Sequence, residues 1–80
     1  MNYLKGKDQK EYSKHNARQF DRKNATAGQR DYSAAWIAGF KDVWDNGGFG
    51  MSYRFMKSNI EKKAFVRGDT FARKVKAKKS

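Results

Sequence analysis

Residues 35–39 read AWIAG and residues 64–68 read AFVRG, and this repeated pattern decides the fold. Each run places a small residue, an aromatic residue and a β-branched residue ahead of a glycine. A glycine inside a helix is less favourable than alanine by roughly 1 kcal/mol, so two glycines in equivalent positions need a physical reason. We interpret them as points of close approach, where two helices cross at Gly39 and Gly68. The aromatic ring of each run then fills the space beside the crossing.

The first run belongs to the most regular helix of the sequence, predicted over about residues 32–45. Apolar residues recur along it at spacings of three and four, which is the helical period. Asp31 or Ser33 can cap its start, and the Asn-Gly-Gly run at 46–48 supplies the expected end. Its apolar stripe consists of Trp36, Ile37, Phe40, Val43 and Trp44.

The second run belongs to a helix predicted over about residues 59–76. Ser58 and Glu61 stand three positions apart, which is the spacing of a capping box at a helix start. Lysines crowd the last turn, where cations interact favourably with the helix dipole. The apolar stripe of this helix consists of Ile60, Ala64, Gly68, Phe71, Ala72 and Val75.

A weaker helix is predicted earlier in the chain, over about residues 9–23. Asp8 is the candidate cap, with Glu11 three positions on. The stripe that this helix would bury is thin, and the Asn-Ala-Thr-Ala-Gly run at 24–28 is read as a turn after it. The stripe consists of Tyr12, Asn16 and Phe20.

Residues 46–55, NGGFGMSYRF, separate the two crossing helices. Aromatic and apolar residues alternate here as in a strand, but no second segment alternates in the same way to pair with it. We therefore expect an irregular loop or a short helical turn. A chain poor in aliphatic residues needs its aromatic rings inside, so Phe49 and Phe55 are assigned to the core. Tyr53 and Arg54 are then available for a surface contact, such as stacking on an unpaired base.

The expected fold class is mostly α: a small bundle of two or three short helices with an aromatic mini-core and disordered basic termini. High charge and few aliphatic residues limit how much surface such a chain can bury. The segments are a disordered N-terminus (1–7), a basic and weakly helical arm (8–30), a helical core module (31–76, with its loop at 46–58) and a basic tail (77–80).

The sequence lacks the residues that metal sites and most enzymes use. It has no cysteine and one histidine, which excludes disulfides, thiolate metal sites and histidine clusters. It also lacks a phosphate-binding loop and a nucleophile-elbow pattern. We expect a protein that is not an enzyme, with no cofactor, no catalytic residue and no metal ligand. His15 lies beside Lys14 in the weakest helix and is expected to be solvated.

The charge distribution points to a polyanion as the partner. The net charge is +11: residues 1–30 carry eight basic and three acidic residues, residues 31–50 one and three, and residues 51–80 ten and two. Solubility alone needs less charge than this. Nucleic acid, RNA or DNA, is the predicted ligand, bound mainly through its phosphates. The candidate residues are Lys62, Lys63, Arg67, Arg73 and Lys74, then Arg18, Arg22 and Lys23, with Tyr53 and Arg54 as sources of specificity.

The paired helices with small-aromatic-x-x-glycine centres resemble the ribosome modulation factor family. The residues that carry this resemblance are Ala35, Trp36, Gly39 and Phe40 in one helix and Ala64, Phe65 and Gly68 in the other. The resemblance implies a tiny basic protein with two short helices that binds ribosomal RNA and associates with ribosomes in hibernation. It assigns no binding residue.

A different class of function remains open on the sequence alone. The chain would then be a small regulator or inhibitor, of the kind that phages encode, and would bind an acidic surface of a host transcription or replication protein. Trp36 and Trp44 would be partly exposed anchors, since tryptophan is enriched at interface hot spots. Neither alternative uses a membrane, because no apolar run approaches the ~20 residues of a membrane span. The expected location is the cytoplasm, at the nucleoid or the ribosome.

Overall fold

The computed structural model describes residues 4–79, and within that range it contains three α-helices and no strand. The helices are α1 (Gly6–Arg18), α2 (Ala27–Asn46) and α3 (Asn59–Lys79), and a single 3-10 turn covers Tyr53–Phe55. The central helix α2 packs against both α1 and α3. The prediction of a mostly helical bundle is confirmed.

Helices α2 and α3 cross at the two glycines, as the repeated pattern predicts. A Cβ atom on Gly39 would collide with the backbone carbonyl group of Phe65, and a Cβ on Gly68 would collide with that of Trp36. Each glycine therefore faces the aromatic residue that stands three positions before the other glycine. Hydrogen in place of a methyl group is what lets the two backbones touch.

The core is built around aromatic rings, which confirms the expected aromatic mini-core. Phe40 is completely buried, and its ring centroid lies 4.9 Å from that of Tyr12 and 5.2 Å from that of Trp44. The rings of Trp36 and Phe71 lie 5.1 Å apart. Aromatic pairs at such distances stabilise a fold beyond the area they bury. Aliphatic residues complete the core: Leu4, Ile37, Val43 and Val75.

The start of α2 differs from the prediction. Neither Asp31 nor Ser33 caps the helix, because Thr26 does so one and a half turns earlier. The Thr26 hydroxyl accepts a hydrogen bond from the Gln29 amide, and the Gln29 side chain accepts one from the Thr26 amide. This reciprocal pair is a complete capping box. Its end is as predicted: Gly47 adopts the left-handed conformation (φ 78°) directly after Asn46.

Helix α1 lies earlier in the chain than the predicted 9–23. It starts after Lys5, and no side chain caps it, so the expected Asp8 cap is wrong. Leu4 is buried, which makes the predicted disorder of residues 1–7 wrong for residues 4–7, while residues 1–3 lie outside the described part of the chain. The helix ends at Arg18, and in the connection that follows the carboxylate of Asp21 accepts a hydrogen bond from the Asn24 amide at 3.0 Å.

Helix α3 starts as predicted and runs further. The hydroxyl of Ser58 accepts a hydrogen bond from the Glu61 amide at 3.1 Å, so Ser58 is the cap. The helix continues to Lys79, and the predicted basic tail 77–80 is therefore helical over the positions described.

Two aromatic residues assigned to the core lie outside it. Phe49 and Phe55 are 83% and 75% exposed, and Phe20, assigned to the stripe of the first helix, is 74% exposed. The core is built instead from rings on the helices, including those of Trp36, Phe40 and Phe71. The predicted short helical turn in the loop is confirmed at Tyr53–Phe55.

Candidate functional site

An open groove with a volume of about 550 Å³ lies between α1 and α3, over the surface of α2. Helix α2 forms its floor with Tyr32 and Trp36. The rims are cationic on both sides: Lys14 and Arg18 come from α1, and Arg67, Thr70 and Lys74 come from α3. Glu11, His15 and Phe71 complete the lining.

Helical spacing explains why these cations share one surface. Lys14 and Arg18 are four residues apart on α1, and Arg67 and Lys74 are seven apart on α3, so each pair lies on one face of its helix. The groove thus joins one cation pair from the basic N-terminal part of the chain with another from the basic C-terminal part. Of the predicted site residues, it brings together Arg18, Arg67 and Lys74.

Most of the positive charge in the groove is uncompensated. Glu11 and Lys14 form an ion pair at 3.1 Å. Within residues 4–79, Arg18, Arg67 and Lys74 form no ion pair. The Arg67 guanidinium donates a hydrogen bond to the Tyr32 hydroxyl at 3.1 Å, which orients it without neutralising it. The groove therefore offers several charged donors to an anion.

His15 belongs to the wall of this groove, and the expectation that it is solvated is wrong. Only 4% of the residue is exposed, and its ring stacks on that of Trp36 with the centroids 4.3 Å apart. Nε2 lies 3.3 Å from a Glu11 carboxylate oxygen, and Nδ1 lies 3.0 Å from the Ser33 hydroxyl. Since a carboxylate only accepts, Nε2 carries the hydrogen and Nδ1 accepts from Ser33.

Burial lowers the pKa of His15 below its ordinary value, although the Glu11 carboxylate acts in the opposite direction. Burial by itself would raise the pKa of Glu11, but the hydrogen bond from Lys14, with the charges of Lys14 and His15, leaves that pKa lowered. The neutral imidazole is therefore the form that the fold favours next to an ionised Glu11. The other groups facing it from α1 and α3 are the cations Lys14, Arg18, Arg67 and Lys74.

The fold is expected to lose stability as the pH falls below about 6.5, the ordinary pKa of histidine. In the unfolded chain His15 takes up a proton near that pH, while in the folded chain it does so only at lower pH. The unfolded state thus binds more protons in this window, and acid shifts the equilibrium towards it. Melting temperatures measured by circular dichroism over a pH series check this.

His15→Asn is the matched control, because the asparagine amide keeps a polar group towards Ser33 but does not titrate. This variant is expected to melt at a lower temperature than the wild-type protein at every pH, because it lacks the stacked ring. Its melting temperature is expected to stay constant with pH above the range in which Glu11 takes up a proton. A wild-type profile that is equally flat below pH ~6.5 would contradict the assignment of a buried, neutral His15.

The remaining predicted site residues lie outside the groove. Arg73 is engaged within the fold: it pairs with Asp69 at 2.6 Å and donates a hydrogen bond to the carbonyl oxygen of Gly48. The ring of Tyr53 packs edge-on against that of Phe65, and Tyr53 is 40% exposed. Lys62 and Lys63 lie near the start of α3, Arg54 lies in the 3-10 turn, and Arg22 and Lys23 lie in the connection between α1 and α2.

The predicted site residues do not include Lys14, His15 and Tyr32, which carry polar groups into the groove. The spacing of four between Lys14 and Arg18 was a readable signal, because it puts both cations on one helical face. No sequence signal identified Tyr32 as the partner of Arg67, since 35 residues separate them.

Comparison with protein-family models, curated proteins and solved structures finds no match to this chain. In the part of the chain that the structure describes, no helix is long and apolar enough to cross a membrane. Residues 4–79 also contain no group of three or more histidine and carboxylate side chains placed to hold a metal ion.

Proposed function

We propose that this protein binds nucleic acid, RNA or DNA, through phosphate contacts in the groove between α1 and α3, and that it catalyses no reaction. The observation that carries the proposal is the convergence of Arg18, Arg67 and Lys74, three cations without an ion-pair partner among the described residues. A chain of phosphates supplies regularly spaced anions for such a groove.

The floor of the groove favours phosphate contacts over base recognition. Trp36 is only 3% exposed, and the His15 ring covers part of it, so a base has no free indole face to stack on. Contacts to phosphates position a protein on nucleic acid but carry no sequence information. Binding through this groove alone is therefore expected to be tolerant of sequence.

The cations are concentrated on two of the three helices found within residues 4–79. Helix α3 carries eight basic and two acidic residues, and α1 carries four and two, while α2 carries two and three. The side of the molecule built by α1 and α3 is thus strongly positive, and α2 adds no net positive charge. Such asymmetry supports association with a polyanion.

The alternative, a grip on an acidic protein surface, is less well supported. It predicts two partly exposed tryptophan anchors, but Trp36 is buried, and only Trp44 is partly exposed. Among nucleic acids, ribosomal RNA is the first target to test, in view of the resemblance described for the two crossing helices.

The expected signature of the proposed function is a steep salt dependence. If the groove and its surroundings neutralise about six phosphates of duplex DNA, the log–log slope of affinity against salt is near −5. Fluorescence anisotropy with labelled random-sequence RNA and DNA, titrated at several salt concentrations, measures this slope.

A pull-down from lysate with and without nuclease treatment separates the two classes of partner. Loss of all captured material after nuclease digestion supports the proposal. Absence of binding at low salt, together with nuclease-resistant capture of one protein, contradicts it and favours the acidic protein partner.

A further inference from the structure

The loop between α2 and α3 carries large apolar side chains that are exposed to solvent. Phe49 and Phe55 are the most exposed aromatic residues described, and Met51 beside them is also exposed. Three exposed apolar side chains within one seven-residue stretch (49–55) make this loop a candidate interaction site. Nothing in the groove between α1 and α3 uses them.

The loop is held in a fixed shape by the helices on both sides. The carboxylate of Asp42 on α2, itself buried, accepts a hydrogen bond from the Gly50 amide at 2.8 Å. From α3, Arg73 donates a hydrogen bond to the carbonyl oxygen of Gly48 at 3.2 Å. The rings of Phe49 and Phe55 are therefore presented by an organised backbone, which reduces the entropy lost when a partner binds.

A second cleft, of about 380 Å³, lies beside this loop. It is lined by Phe49, Gly50, Tyr53, Phe65, Val66 and Asp69. Helix α3 contributes Val66 and Asp69 to the cleft, and it contributes Arg67 and Lys74 to the cationic groove. The two sites therefore border the same helix on different faces.

The charge around the loop fits an anionic partner. Residues 49–60 contain Arg54 and Lys57 and no acidic residue. The one carboxylate that lines the cleft, that of Asp69, is neutralised by Arg73 at 2.6 Å. The surface thus combines flat exposed rings with positive charge, which is the combination that single-stranded nucleic acid binds: bases stack on the rings and phosphates meet the cations.

We propose that the loop stacks unpaired bases of the same strand whose phosphates occupy the groove, so that the ligand is single-stranded nucleic acid. This inference rests on the proposed function. Bases inside a duplex are already stacked on their neighbours and cannot lie against Phe49 or Phe55. Because every base has a flat face, the contact is tolerant of sequence.

The test compares two strands with equal numbers of phosphates, an oligothymidylate and an abasic strand of the same length. The wild-type protein is expected to bind the oligothymidylate roughly 100-fold more tightly than the abasic strand, since stacking on each ring contributes about tenfold. The double variant Phe49→Ser/Phe55→Ser is expected to lose this preference and to bind both strands as the wild-type protein binds the abasic one. Fluorescence anisotropy measures all four affinities.

The matched control is Phe20→Ser, which removes an equally exposed ring from the connection between α1 and α2 and is expected to keep the preference. Phe55→Trp provides a direct fluorescence signal for stacking and is expected to keep strand binding. Its added fluorescence is expected to be quenched by the oligothymidylate and not by the abasic strand. Thermal melting shows that each variant is folded.

Other occupants of the loop give different results. Equal wild-type affinity for both strands overturns the inference and leaves the phosphate groove intact. Self-association that disappears in the double variant assigns the loop to a second copy of the chain. Co-sedimentation with vesicles of phosphatidylcholine and phosphatidylserine, lost in the double variant and without any base preference, assigns it to an anionic bilayer. Failure to bind either strand overturns the inference, and if random-sequence RNA and duplex DNA also fail to bind at low salt, the proposed function itself is contradicted.

Discussion

Gly39→Ala is expected to lower the melting temperature by roughly 10–20 °C, which corresponds to a loss of about 2–3 kcal/mol in the free energy of unfolding. The added methyl group would collide with the backbone carbonyl of Phe65. A backbone carbonyl inside a helix cannot move aside as a flexible side chain can, so α2 and α3 must separate. The gain of roughly 1 kcal/mol in helix propensity is smaller than this penalty. Thermal melts followed by circular dichroism measure the difference.

Gly28→Ala is the matched control, because it makes the same chemical change in the same helix. Gly28 lies in the first turn of α2, is exposed, and has no heavy atom closer than 4.0 Å to an added Cβ. Alanine there is expected to stabilise the protein by about 0.5–1 kcal/mol. Gly68→Ala should behave like Gly39→Ala, since its methyl group would meet the Trp36 backbone. Equal melting temperatures for Gly28→Ala and Gly39→Ala would show that the two helices do not touch at the glycines.

Gly39 and Gly28 are expected to respond in opposite ways to the same substitution, and the difference depends on the helix crossing. This crossing is the part of the fold that could be predicted from the sequence. A local sequence pattern predicts the crossing, because a glycine inside a strongly apolar helix indicates close contact with a neighbouring helix. The start of α2 was also readable from Thr26 and Gln29, which have the capping-box spacing. It was missed because the neighbouring asparagine and glycine favoured a turn.

The loop and the groove depend on contacts that no local pattern contains. The rings of Phe49 and Phe55 were assigned to the core because the chain has few aliphatic residues, but the core is built from rings on the helices, such as those of Trp36, Phe40 and Phe71. The position of α1 depends on distant contacts, such as the packing of Tyr12 on Phe40 and the ion pair between Asp8 and Lys78 at 3.5 Å.

For this reason the sequence could identify the basic residues as binding candidates, but it could not show that they lie together in one groove. Arg18 and Arg67 were both candidates on the sequence, yet nothing local showed that they share one groove. His15 was misjudged for the same reason: its burial depends on Trp36, which lies on another helix. Tertiary packing outweighs the polar neighbours that His15 has in sequence.

Replacing Arg67 and Lys74 with glutamine is expected to weaken binding to single-stranded RNA and DNA by roughly 30-fold at low salt. Each substitution removes one contact to phosphate, worth about 1 kcal/mol, and a tenfold change in affinity corresponds to 1.4 kcal/mol. The log–log salt slope should become shallower by about 1.4, because two fewer phosphates of a single strand are neutralised. Both side chains are exposed, so melting should be little affected. Anisotropy titrations at several salt concentrations give affinity and slope together.

The comparison that decides the role of the groove uses Lys5→Gln/Lys41→Gln, which removes the same charge from two exposed lysines that lie outside the groove and are not candidate binding residues. If the groove holds the phosphates, this control pair should lose only a few-fold in affinity, through the weaker long-range field of the protein. If both double variants lose affinity equally, binding depends only on the net charge of the protein and the groove is not the binding site. A loss confined to Arg67→Gln/Lys74→Gln means that the backbone lies between α1 and α3, where Arg18 and Lys14 face it from the opposite rim.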